Sequence, residues 1–235
     1  MPFMLSSLLR QINVLKSADA LLAKKNKLLC EKLGAYHSSY AGVTNGGFET
    51  GNLTGWIVAN EGCCNVWSAY SGTLSPVSGI TFAAPPQGVY AATSYFIPTG
   101  PGSHIMYQDL VLKKFQSHNL TFILYYDNSR TGLLIPPGEF CTPDTLDYKM
   151  ETQCNQQYRV DVMDPAAPVD SVASGDVLAT LFRTEVGAPP TLAPTPMAFD
   201  LSAFAGRTVR LRFSQVDNRG FFLAFVDAVN LQSTC

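Results

Sequence analysis

Long apolar runs, charge and histidine are all scarce in this chain. No stretch of its 235 residues stays apolar long enough to cross a bilayer as a helix. Charged residues make up 14% and the net charge is −2, so the basic surface that nucleic acid demands is missing. The three histidines, His37, His104 and His118, are scattered. No HExxH, GxSxG, P-loop or dinucleotide fingerprint occurs. The six cysteines, Cys30, Cys63, Cys64, Cys141, Cys154 and Cys235, have neither zinc-ribbon nor redox CxxC spacing. The N-terminus has no secretory-leader pattern. Its apolar stretch is cut by Arg10, Gln11, Asn13 and Lys16, and no small-residue cleavage site follows closely. These absences remove the common catalytic classes, and the chain is expected not to be an enzyme.

What charge there is divides unevenly. Residues 1–43 carry a net +4, and the remainder carries −6. The basic part reads as a helix over 3–34. Leu5, Leu8, Ile12, Leu15, Asp19, Leu22, Asn26, Leu29 and Leu33 fall at alternating spacings of three and four, a heptad seam. Asp19 and Asn26 share one heptad position, where a polar residue sets register and oligomer state. Leu9, Val14, Leu21 and Leu28 widen the apolar surface, which suits a three-stranded bundle or a helix docked on another surface. A homo-oligomer built on this helix is expected, and a membrane is not an expected partner. Gly34 is a reasonable stop, and residues 35–44 read as a linker.

Beyond the linker, strand signals recur between turn residues. They fall at Trp56–Ala59, Asn65–Tyr70, Gly88–Ser94, His104–Leu112, Leu120–Asp127, Gln157–Met163, Asp176–Thr184, Met197–Leu201, Thr208–Val216 and Phe221–Leu231. With no strong helix between them, they predict a mainly β, antiparallel sandwich over residues 45–235. In Thr208–Ser214, Val209, Leu211 and Phe213 alternate with Arg210 and Arg212, so one face is read as core and the other as solvent. In Phe221–Leu231 the inward parity collects Phe221, Leu223, Phe225, Val229 and Leu231, and Asp227 shares it. A carboxylate on an apolar face must be paired, hydrogen-bonded or metal-bound. Residues 128–155 and the Pro-rich 187–196 read as long loops, where binding surfaces tend to lie. Cys141 and Cys154 bracket the first of these and are the expected disulfide, while Cys30 and Cys235 are candidates for inter-chain bonds. Asn52-Leu-Thr and Asn119-Leu-Thr are glycosylation sequons.

Four segments carry a resemblance. Asn45-Gly-Gly-Phe-Glu-Thr-Gly-Asn-Leu-Thr-Gly-Trp56 resembles the opening strand and turn of galactose-binding-like jelly rolls, among them the carbohydrate-binding modules of bacterial glycanases. Phe225-Val-Asp-Ala-Val-Asn-Leu231 resembles their closing strand. Gly102–Leu110 and Phe199–Phe213 are similar to segments of uncharacterised secreted bacterial proteins of this type. The resemblance covers residues 45–231. It implies a jelly-roll sandwich, a carbohydrate ligand and a structural calcium ion held by the side chains of Glu49 and Asp227. Ala228 stands where the family often has a second polar residue. The N-terminal helix is outside the family pattern.

Two functions follow as expectations. One is a non-catalytic extracellular or surface module that binds glycans and is oligomeric. The other is a self-assembling subunit of a surface layer, filament or appendage. Aromatic rings that stack on sugars are sought in loops and strand ends, and Trp67, Tyr70 and Tyr148 are the candidates.

Overall fold

A computed structural model describes residues 2–34, 42–62, 66–74, 81, 83–95, 101–129, 139–149, 153–220 and 222–235. Cys63, Cys64, Phe221, most of the expected linker and the middle of the 128–155 loop lie outside the described residues. So do the side chains of Leu5, Leu9, Asn26, Cys30 and Leu33.

Helix α1 runs over Pro2–Gly34, as the heptad pattern predicts. Every described side chain on it is exposed, including Leu8, Leu15, Leu21, Leu22, Leu28 and Leu29. Among the described residues, no helix is long and apolar enough to cross a membrane.

The remaining elements form two five-stranded antiparallel sheets packed as a jelly-roll sandwich. One sheet has β1 (Ile57–Gly62), β4 (Gly102–Val111), β9 (Thr208–Asp217), β6 (Gln156–Met163) and β7 (Val177–Arg183), in that order. The other has β2 (Val66–Ser71), β3 (Tyr90–Tyr95), β10 (Leu223–Thr234), β5 (Ser117–Asp127) and β8 (Thr191–Asp200). Residues such as Met106, Leu124, Val160, Leu211, Phe213 and Val226 meet between the sheets. β5 has buried side chains on both faces, and Tyr126 lies in the core.

Three sequence expectations change. The Pro-rich 187–196 is not all loop, because β8 begins at Thr191 and pairs only with β5. Pro194 and Pro196 fit there because an edge strand needs no N–H on its open side. The Arg210–Arg212 face is not solvated. Both side chains are buried, because loops fold over that sheet. Finally, β10 does not keep one parity. A bulge between Asp227 and Asn230, with Ala228 at φ 52°, shifts its phase. Leu223 and Phe225 therefore pack outside the second sheet with Tyr70 and Tyr125, while Val229 and Leu231 enter the main core.

Candidate functional site

Glu49 and Asp227 converge on one loop. Phe48 takes φ 58° and packs its ring on Trp56 at 5.7 Å between centroids, with Trp56 Nε1 donating to the Asn45 carbonyl. That turn throws the Glu49 carboxylate across the chain, where it accepts the N–H groups of Val89 (3.0 Å) and Tyr90 (3.1 Å). Asp227 is fully buried and accepts Gln87 N–H at 3.0 Å and Ala228 N–H at 2.6 Å. Burial is the main cause that raises its carboxyl to about 6, and the charge of Glu49 adds to it against the two N–H groups. The charge of Glu49 raises the proton affinity of Asp227, as happens in a site short of positive charge. Beside them is a polar cavity of about 470 Å³ touching Gly47, Gln87, Thr121, Ala228, Val229 and Asn230. An all-oxygen donor set of this kind fits a hard cation. Among the described residues no group of three or more His, Cys, Asp or Glu side chains gathers around a metal position, so backbone oxygens would have to complete such a shell.

A larger cleft lies on the outer face of the first sheet. Its volume is about 510 Å³. Ala59, Ile105, Leu146 and Val169 give it an apolar floor and sides, and Asn60, Glu61, Ser103, Thr145, Asp147, Lys149 and Asp170 give it polar edges. One wall is the segment before Cys154. The Cys141–Cys154 disulfide closes it with the Cα atoms 5.4 Å apart, as expected from the sequence. Amide side chains hold its backbone. Asn155 Nδ2 donates to the carbonyls of Thr145 (3.1 Å) and Asp147 (2.9 Å), and Gln157 Nε2 to those of Pro143 (3.0 Å) and Thr145 (2.9 Å).

Buried arginines hold the opposite wall. Arg212, with no exposed surface, donates through Nη1 to the carbonyls of Val169 (2.7 Å) and Ser171 (2.8 Å). Its Nη2 meets Asp161 at 2.6 Å, and Arg159 forms a fork on the same carboxylate at 3.1 Å through both Nε and Nη2. Burial lowers the proton affinity of Arg212 and Asp161 opposes this, which is how a buried cation keeps its charge. Lys149 reaches across the mouth to Glu61 at 3.5 Å.

The aromatic candidates separate. Trp67 is 3% exposed, packs in the core and donates from Nε1 to the His104 carbonyl at 3.1 Å. Tyr70 is equally buried, its hydroxyl shared with Ala83 O (2.8 Å) and Tyr125 OH (2.6 Å). Neither shows a ring face to solvent, because both sit on strands whose two faces are covered. Tyr148 is half-buried and packs with Ile105 and Leu146 at the cleft, with Lys149 Nζ 5.4 Å above its ring. The cleft's polar residues were not singled out by sequence reading. The bracket of Cys141 and Cys154 marked the wall, but nothing local marks Asn60 or Asp170. Cys235 is disulfide-bonded within the chain, in place of the inter-chain bond expected of it.

The likeness to solved structures is one of fold. No family model matches the chain, and no curated protein matches it. A cleaved adhesin domain of Lys-gingipain from Porphyromonas gingivalis aligns over 81% of this chain and 97% of its own, at 18% identity and TM-score 0.49. TmCBM61 in complex with β-1,4-galactotriose aligns over 83% of this chain and 100% of its own, at 16% identity and TM-score 0.46. A Stig cyclase from Fischerella sp. TAU aligns over 83% and 98%, at 18% identity and TM-score 0.42. Function is therefore argued from the residues of the chain itself.

Proposed function

We propose that the protein is a non-catalytic, extracellular or surface module that binds an oligosaccharide in the cleft over the first sheet, and that α1 makes it multivalent. The cleft carries this reading. Its volume of about 510 Å³ is in the range of small-ligand sites. Its apolar floor suits the C–H face of a sugar ring, and Asn60, Ser103, Thr145, Asp147 and Asp170 supply donors and acceptors for hydroxyls. The walls are pre-formed by the disulfide, the amide lattice and Arg212, so little is lost in ordering them on binding. Disulfides suit an oxidising compartment. Glu49 and Asp227 would hold a calcium ion that joins the first turn to the last strand. The ion would supply charge neutralisation and rigidity, and the cleft residues would do the binding.

A glycan array probed with full-length protein tests this, followed by titration of each hit. Asn60→Ala and Asp147→Ala should each weaken binding about tenfold, the scale of one or two lost hydrogen bonds. A blank array with multivalent protein would overturn the reading. The exposed leucines of α1 would then favour the second one, a self-assembling structural subunit, and ordered polymers in images of purified protein would support it.

A further inference from the structure

His104 sits on β4 between Ser103 and Ile105, two residues that line the cleft. Its own side chain points the opposite way, into the sandwich, with no exposed surface. Among the described residues, neither ring nitrogen has a hydrogen-bond partner. Nε2 stops 3.6 Å from Asp217 Oδ1, too far for a hydrogen bond. Asp217 is 2% exposed and accepts the Gly102 N–H at 3.2 Å. Gly102 is the register partner of Asp217 on β9 and of Gly62 on β1, so the pair sits where three strands of the cleft sheet meet. A Cβ on Gly102 would come within 2.3 Å of His104 Nε2, so the histidine is pressed against that backbone.

Among the described residues, the side chains that the neighbouring strands turn toward this pair are uncharged, and Gln215 also hydrogen-bonds Asp217. β2 presents Trp67, β9 presents Gln215 opposite His104, and β6 presents Gln156 opposite Asp217, all uncharged. Tyr158 on β6 is buried, donates to Phe225 O and has its hydroxyl proton held by burial. Arg159 and Asp161 of β6 and Arg210 and Arg212 of β9 take the alternate parity, where they bind one another, Asp109 and the loop carbonyls of Val169 and Ser171. Glu61 of β1 is exposed and tied to Lys149, and Arg219 beyond β9 is half-buried.

We propose that His104 and Asp217 form a proton-operated latch under the cleft, in which uptake of one proton turns the 3.6 Å gap into a charge-assisted hydrogen bond and stiffens β4 at Ser103 and Ile105. Without that proton a buried carboxylate faces a neutral ring that does not reach it. With it, the two groups share either an ion pair or a neutral hydrogen bond, and the proton belongs to the pair. Burial raises the Asp217 carboxyl from 3.8 to about 6, and His104 is the first of the groups that oppose it. The sign follows. Between about 4 and about 6 the folded chain holds a proton that the unfolded chain has released, so the latch stabilises at acid pH and is lost as pH rises through about 6. As regulation of glycan binding the latch rests on the proposed function, but as a proton site it does not.

The test is an NMR titration of the full chain from acid to mildly basic pH, following the His104 ring and the amides of Ser103 and Ile105, with thermal melts over the same range. All three signals should move with one midpoint, where Asp217 releases its proton, and the melting temperature should fall as pH rises through it. Asp217→Asn should abolish the shared midpoint and flatten the melting profile, and Asp170→Asn, on the exposed rim, should leave both. If Asp217→Asn does not fold, His104→Gln makes the same test. Independent behaviour of Ser103 and Ile105, or a midpoint that survives either core variant, overturns the latch. Glycan affinity that tightens at least about fivefold on the acid side, and loses that change in His104→Gln, supports control of the cleft. A pH-independent affinity beside an intact midpoint overturns the control and not the latch. Absence of any glycan binding overturns the proposed function and leaves the proton site standing.

Discussion

Gly46 and Val229 bind each other backbone to backbone, with Val229 N donating to Gly46 O at 2.9 Å. The contact leaves no room for a side chain. A Cβ on Gly46 would lie 1.8 Å from the Val229 carbonyl oxygen. This is where the opening turn is fastened to the closing strand, directly beside Glu49 and Asp227. Gly46→Ala must push the two apart. It should lower stability by about 1–3 kcal/mol, the range for overpacking a tight contact. Gly47→Ala is the control, since its Cβ would meet nothing closer than 3.7 Å. Paired thermal melts check this, and equal melting temperatures for the two variants would contradict it.

The same fastening should respond to metal. If calcium bridges Glu49 and Asp227, a chelator lowers the melting temperature of the wild type, and added calcium restores it by mass action. Glu49→Gln should remove that difference while the chain stays folded, because the amide oxygen still accepts from Val89 and Tyr90. A wild type that melts identically with and without chelator would contradict the calcium site.

These residues also show how far the sequence could be read. Helix α1 and most strands were legible because their apolar periodicities are local. Asp227 was legible as an anomaly, a carboxylate on an apolar parity. Its neighbours were not, because one positive φ at Ala228 switches β10 between faces and no periodicity predicts a bulge. Arg210 and Arg212 read as solvated because alternation reports which face a residue takes, not what later folds over that face. The loop carbonyls that bury Arg212 come from Val169 and Ser171, some forty residues away in sequence. The cleft is hidden for the same reason. Asn60, Ser103, Asp147 and Asp170 lie on four separate segments, and only the sheet order brings them together.

The cleft wall gives a prediction of its own. In the chain-entropy model a short closed loop is worth about 3 kcal/mol. Replacing both Cys141 and Cys154 with serine should therefore lower stability by up to that amount. Asn155 and Gln157 still grip the wall from below, so the protein should stay folded. Gln157→Ala in that background removes the bonds to Pro143 O and Thr145 O, and it should weaken ligand binding further than either change alone. Affinity measured on the three variants checks the order. If the disulfide variant binds as tightly as wild type, the wall is not part of the site.

Helix α1 makes the last prediction. Leu8, Ile12, Leu15, Leu22 and Leu29 lie along one seam and stay 36–64% exposed. An isolated helix leaves that surface in water, and a second copy removes it, at roughly 25 cal/mol per Å² of apolar area buried. The full chain should therefore be oligomeric by light scattering and residues 44–235 alone should be monomeric. Leu15→Glu with Leu22→Glu should dissociate it, since each change places a charge in the seam. The salt dependence is more discriminating. Lys16, Lys25 and Lys32 occupy the positions that flank the seam, so each copy brings a positive margin to the other, and Asp19 is the only acid within the seam. Raising ionic strength screens that repulsion and should strengthen association. Association that weakens with salt would mean that the lysines meet acidic groups, and α1 would then be docking on something other than itself.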